Sequence, residues 1–339
     1  MTDSISPLSR RELEDAITKY APIIRVHPNE KYQMCSVEWF LKHVTLIDTN
    51  SPATAIVHPA VDQLPQGPQQ GKRYYFTLEE SGKGGNIATA KAYVHAFWQK
   101  DLSYTDIQFW FFSAYNGPGT ARIATKAFGA VVHSGDVDLA PLGEHVGDWE
   151  YCTIRIENRT KEMIGIILSQ HGSGIRYDRK GIEKFKMVNG THPVVYSSRN
   201  GHANFASVDD NFTETRRYGP DFAQLEFDLL NTTADGGDSL DCSQKFEIIS
   251  AEWITGPDAY TIPAWVNYPY RWGPEGTSTS MSTTTVANIL KAAFGPIIVP
   301  VSDSIVTQLA SSIIQVFVKD DINGAGAPCG QGPWTGHYD

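Results

Sequence analysis

The stretch Pro141-Leu142-Gly143-Glu144-His145-Val146-Gly147-Asp148-Trp149-Glu150 runs without a break into Tyr151-Cys152-Thr153-Ile154-Arg155-Ile156, an apolar-rich segment that reads as a β-strand. In an extended chain, side chains two apart point the same way, about 6.5 Å from each other. Asp148 and Glu150 therefore leave one face at the mouth of that strand. Gly147 supplies a backbone position that can bend, so His145 can fold over the same spot. One imidazole and two carboxylates converging at a loop-to-strand junction suit a divalent cation or an acid/base pair. The structural alternative is a turn whose acids cap backbone donors while Trp149 fills the core.

On the N-terminal side, Ala92–Trp98 and Asp106–Tyr115 read as strands, the second dense in aromatics and running into the turn Asn116-Gly117-Pro118-Gly119. On the C-terminal side, Met163–His171 makes a hairpin-like pair with the central strand, and His192–Ser198 and Phe246–Ile254 read as further strands. Residues 8–20 carry helical spacing through Leu13, Ile17 and Tyr20, residues 20–28 read as a strand ended by Pro28, and Ser36–Leu41 reads as a helical turn. His27 and Glu30 flank the turn between the last two, where they either face a ligand or bond the turn itself. Residues 48–72 and Gly82-Lys83-Gly84-Gly85 are loops, and the second lacks the strand-before, helix-after context of a phosphate cradle. Asp235–Asp241 is a second acidic, glycine-bearing loop.

Many short strands punctuated by turns, without regular βαβ alternation, indicate a mainly β protein built as an antiparallel β-sandwich. Residues 283–294 and 302–319 carry helical apolar spacing, separated by Gly295-Pro296 and Pro300, and are too apolar to be free. They are expected to pack on the sandwich. The organisation is then one domain over 1–339, with a sandwich core at 20–280, a helical extension at 283–319 and a strap at 320–339 anchored by Trp334.

Composition narrows the function. The chain has 339 residues, 41% hydrophobic and 19% charged, which suits a globular protein with a sizeable core. Its net charge of -10, from 28 basic and 38 acidic residues with no Lys/Arg-rich run, argues against nucleic acid as the main partner. Cys35, Cys152, Cys242 and Cys329 form no C-x-x-C pair, which disfavours structural zinc and leaves disulfides open. The first residues contain no apolar segment after a basic start, so the expected location is cytoplasmic, with a secreted form left open. Sequons at Asn158, Asn189, Asn211 and Asn231 then read as chance. No uninterrupted apolar stretch reaches the length of a membrane span.

Taken together, several blocks resemble one family. They are Tyr20-Ala21-Pro22 with His27–Tyr32, Ser36–Phe40, Ala92–His95, Asn116–Thr120, His145–Glu150, Ser169–His171, His192–Ser197, Asp241–Phe246 and Trp272–Pro274. In that order they resemble the vacuolar protein sorting-associated protein sixty-two (Vps62-like) family, including a related plant group. The resemblance implies a role peripheral to vacuolar or other membranes. A second, local resemblance links Glu144–Glu150 to the G-H-R-H-D-W-E heptapeptide of necrosis-inducing phytotoxin-like proteins, a β-sandwich family of secreted cytolysins. Its first His, its Asp and its final Glu hold a divalent cation, which would assign His145, Asp148 and Glu150 as ligands here. Asn116 stands nearest a further acidic ligand of the toxins, with Asp136 and Asp138 as substitutes, and Gly201-His202-Ala203 resembles a later segment. Glu144 stands where the toxins have Gly, and Gly147 where they have the second His.

The leading expectation is a protein that binds a lipid head group or sugar at a membrane surface through a cation held by His145, Asp148, Glu150 and Asn116. Carboxylates favour Ca²⁺ or Mg²⁺, while His145 would also admit Mn²⁺ or Zn²⁺. Arg199 and Trp149 would shape the pocket. The alternative is an enzyme in which Asp148 or Glu150 is the general base and His145 or His202 its proton partner, acting on a small organic metabolite. A cytolysin-like toxin and a structural sorting adaptor are further alternatives.

Overall fold

The computed structural model describes residues 6–67, 73–98, 102–170, 173–220, 222, 224–275, 281–294, 303–321 and 325–338. The Gly295–Pro300 break, the end of the 48–72 loop and His171 lie outside them.

Ten strands carry most of the architecture: β1 (Ala92–Trp98), β2 (Tyr104–Asn116), β3 (Thr120–Ala127), β4 (Ala130–Asp138), β5 (His145–Glu157), β6 (Met163–Gln170), β7 (Ser173–Asp178), β8 (Asp210–Tyr218), β9 (Gln224–Thr232) and β10 (Phe246–Ala251). Six of them form a central sheet in the order β7-β6-β5-β2-β1-β10, and the others form a four-stranded sheet in the order β8-β9-β3-β4. The pairings are antiparallel apart from two. β10 runs parallel to β1, and Ile23–Arg25 runs parallel to His192–Ser197 in a small additional sheet that Ser239–Asp241 completes. The sandwich is therefore mainly antiparallel, with both termini of the β region threaded back in parallel.

Both faces of the central sheet are covered, which explains why β1 and β2 are buried along nearly their whole length. One face carries Val94, Ile107, Phe109, Cys152, Ile154 and Ile166 against the small sheet and the helix Arg10–Tyr20 (α1). A reciprocal Ser9–Glu12 capping box starts that helix, and Leu13, Ala16, Ile17 and Tyr20 are its buried stripe. The opposite face carries Tyr93, Trp110, Phe112, Trp149 and Tyr151 against the short helix Val37–Leu41 (α2), the segment around Trp265 and Trp272, and the C-terminal segment through Tyr338. On this second face Trp149 stacks on Trp265 at 5.3 Å and meets Trp272 edge-on at 5.2 Å.

The helices α3 (Thr283–Phe294) and α4 (Asp303–Asp321) cover the four-stranded sheet. Val286, Leu290, Val306 and Leu309 bury Ala121, Ile123, Leu225 and Phe227. Among the described residues no helix is long and apolar enough to cross a membrane. The four cysteines are free thiols. At the C-terminus, the indole of Trp334 stacks on His95 at 3.8 Å with 5° between ring planes.

Candidate functional site

Strand β5 begins at His145, so the heptapeptide is itself paired sheet rather than a loop leading into one. Across the ladder Asn116 faces His145, Ser113 faces Asp148 and Phe111 faces Glu150. Cys152, Ile154 and Ile156 belong to the apolar core under the small sheet. By strand alternation Asp148 and Glu150 continue that same stripe, turning its last two positions polar. The small sheet folds over this end, and Met34, Phe111, Ser113, Asp148, Glu150, Ser197, His202 and Asn204 line a small cavity with room for about one water-sized particle.

The loop after His192–Ser197 closes the cavity. Two of its residues, Asn200 (φ 69°) and His202 (φ 55°), adopt left-handed backbone, which a histidine rarely does. Several contacts hold it there. Glu30 accepts the Tyr32 amide at 2.8 Å and the Asn200 amide at 2.6 Å, while Arg199 and Asn200 both reach Asp138, at 2.6 and 3.2 Å. Local strain is thus held by a ring of polar contacts that fixes one imidazole.

That imidazole lies between two acceptors. His202 Nδ1 is 2.8 Å from Asp148 Oδ2 and its Nε2 is 2.8 Å from the Tyr32 carbonyl, with Glu30 at 3.9 Å. A neutral ring has only one N–H, so satisfying both partners requires the imidazolium. Burial alone would lower its pKa, but the Asp148 hydrogen bond, the charges of Glu30 and Asp148 and the Tyr32 carbonyl hold it above the ordinary histidine value. Asp148 and His202 are an ion pair with side chains 12% and 5% exposed.

Glu150 has the opposite environment. It keeps some surface, facing the cavity, but protein surrounds its carboxyl. Burial first, then the charge of Asp148, push its pKa well above the carboxylate range, against a hydrogen bond from Ser169. Ser169 Oγ also accepts Tyr151 N at 3.0 Å and Asn204 Nδ2 at 2.9 Å. The cavity thus holds two carboxyl groups in different surroundings, Asp148 paired with a cation and Glu150 with its pKa pushed up by burial and by its neighbour.

The other candidates lie apart from this cavity. The His145 ring places Nδ1 3.0 Å from the Gly147 carbonyl. Gly147 is left-handed (φ 72°), and Val146 packs with Trp149 and Trp272, so alternation breaks between His145 and Asp148. Asn116 Nδ2 donates to the carbonyls of Gly117 and Gly143 at 2.9 and 2.7 Å. Asp136 and Asp138 are paired with Arg122 and Arg199, and Trp149 lies in the opposite core. Among the described residues no group of three or more His, Cys, Asp or Glu is placed to hold a metal ion. Sequence reasoning left Glu30 between facing a ligand and bonding its turn, and it missed Ser169 and Asn204 as site residues. Their partners lie far away in the chain, so no local pattern marks them.

A family model described as vacuolar protein sorting-associated protein 62 matches residues 5–315. The chain belongs to the Vps62 family. It is 24% identical over 236 residues to Vacuolar protein sorting-associated protein 62 of Saccharomyces cerevisiae, covering 61% of this chain and 48% of that protein. It is 25% identical over 138 residues to the Putative vacuolar protein sorting-associated protein TDA6 of the same yeast, covering 34% of this chain and 29% of the other. This Vps62-family chain therefore spans about half the length, or less, of the curated relatives it matches. Similar solved structures include Necrosis and Ethylene inducing Protein 2 from the causal agent of cocoa's Witches Broom disease, at 15% identity and TM-score 0.30, covering 57% of this chain and 67% of the other. Another is NLPPya in complex with mannosamine, at 11% identity and TM-score 0.34, covering 81% and 83%.

Proposed function

We propose that this Vps62-family chain is a binding protein whose Asp148–Glu150 cavity takes one divalent cation and, through it, an oxygen-rich ligand such as a lipid head group or a sugar. The observation that carries this reading is the state of Glu150. Its carboxyl lines a polar cavity beside a second carboxylate, and burial and that neighbouring charge push its pKa well above the carboxylate range. A divalent cation would offset the repulsion and replace the proton. Ser197 and Asn204 line the same cavity and would add oxygen ligands, a set that suits Ca²⁺ or Mg²⁺. His145 and Asn116 sit at the first rung of β5, about 10 Å along the strand from Asp148, and would take part only through a shift of that strand end.

Size separates this reading from the enzymatic one. Small-molecule pockets commonly measure about 300–1,000 Å³. The cavity between Asp148, Glu150 and His202 has room for about one water-sized particle, which suits a single ion and not a metabolite placed against Asp148 and His202.

The test is calorimetric titration of chelator-dialysed protein with CaCl₂ and with MgCl₂, repeated in buffers of different ionisation enthalpy. The expected result is one site whose filling releases a proton, with both signals lost in Glu150→Gln. Soluble glycerophospholipid head groups and simple sugars, titrated with and without the ion, then identify the ligand class. No heat with either ion, or binding without proton release, refutes the proposal.

A further inference from the structure

The end of the four-stranded sheet farthest from the cavity carries a second feature. The β3–β4 hairpin turns through two residues, Phe128 and Gly129, between the paired Ala127 and Ala130. Both are left-handed, with φ of 49° and 81°. Asn-Gly is the favoured pair for two-residue hairpin turns of this hand, because a large side chain is disfavoured at positive φ. Here the first position is a phenylalanine, and it is 85% exposed. One residue thus departs from both turn preference and burial preference, a combination expected at functional positions.

Its surroundings extend the feature. Lys126 pairs with Gln224, so the β8–β9 turn lies at the same end of the sheet, and it presents Phe222, 60% exposed. Val131 and Val132, 57% and 55% exposed, follow on the edge strand. Behind the tips Glu226 is shared by Lys126 at 2.6 Å and Arg217 at 2.5 Å, and Arg216 is next along the strand. Lys126, Arg216 and Arg217 outnumber Glu226 on these strand ends, a local positive balance in a chain of net charge -10.

We infer that this end of the sheet is a membrane-docking surface, inserting the Phe128 and Phe222 tips into a bilayer bearing anionic lipid. Projecting aromatic tips suit the head-group boundary, where an apolar ring can be buried while the cations behind it stay at the charged surface. The opposite end of β3, about 25 Å away along the strand, meets Asp138 and the loop that holds His202, so docking is independent of cation binding.

The test is co-sedimentation of the full chain with phosphatidylcholine/phosphatidylserine (4:1) vesicles in the presence of EDTA, which excludes the cation site. The wild type should sediment with the vesicles and bind pure phosphatidylcholine more weakly. The double variant Phe128→Ser, Phe222→Ser should bind at least tenfold more weakly. Phe128→Asn gives the turn its favoured residue, so its melting temperature should stay the same or rise while vesicle binding falls. Wild type that stays in the supernatant, a double variant that binds like wild type, or a Phe128→Asn protein that melts lower would each overturn the inference. A dimer in light scattering that the double variant dissociates, without vesicle binding, would reassign the surface to a second copy of the chain.

Discussion

Two carboxyl groups on successive same-face positions of one strand differ because only one meets a cation. Asp148 has the imidazolium of His202 at 2.8 Å, while Glu150 has the Ser169 hydroxyl. Asp148→Asn removes the charge that the buried imidazolium depends on. It should destabilise the chain by about 3 kcal/mol in urea unfolding, the order found for breaking a buried pair. In the same variant the His202 pKa, followed by NMR, should fall. Glu150→Gln copies the protonated acid and should change stability at neutral pH by less than about 1 kcal/mol. Because the folded pKa of Glu150 lies above its unfolded value, its contribution is complete at acid pH and is lost as pH rises through the folded value. The Gln variant should flatten that part of the pH–stability curve, and an unchanged slope would show that Glu150 is not the group responsible. The shared face of this pair is readable from a spacing of two. The His202–Glu30 approach is not, because it depends on a left-handed loop meeting a distant turn.

Strands and helices marked by a dense apolar run or an apolar stripe are legible in the chain, and those without either are not. β1 stands out as an aromatic, β-branched run and α3 as a helical stripe of apolar residues, and both occupy the spans their patterns predict. β3, β4, β8 and β9 go unread. β4, Ala130–Asp138, is an edge strand exposed along almost its whole length, so neither face selects for apolar residues. β5 starts earlier than its apolar run suggests because Gly147 interrupts the alternation. A Cβ at Gly147 would sit 2.8 Å from Trp272 Cβ and 3.0 Å from its carbonyl oxygen, on backbone at φ 72°. Gly147→Ala should therefore cost at least about 2 kcal/mol, read from the denaturation midpoint. In the C-terminal segment, Trp334→Ala should cost a similar amount. It should also open His95 to water and raise its pKa towards the ordinary value, which separates a burial effect from a general loosening.

For the molecule as a whole, pH acts on stability from two sides. His95 is fully buried, and burial, opposed by its bond to the Trp334 carbonyl, lowers its pKa to about 4. The unfolded chain takes up a proton near the usual histidine value of about 6.5 that the folded chain refuses, so stability should fall as pH drops from there towards 4. His202 has the opposite sign: its contribution is complete below about 6.5 and is lost as pH rises through its elevated folded value. Thermal melts across this range should show a maximum between the two flanks, with the acid flank missing in His95→Gln. The fold class is legible from strand density and turn spacing, whereas the two parallel pairings are not, because nothing local signals a return from far along the chain. That long return has a consequence for how the protein is made. The amide of Asn200 reaches the Glu30 carboxylate across 170 positions of sequence. During synthesis the early turn must wait, unpartnered, until most of the β region has emerged. The cavity is thus among the last parts to assemble, and an internal fragment lacking the first thirty or so residues would lose the carboxylate that holds the loop closing it.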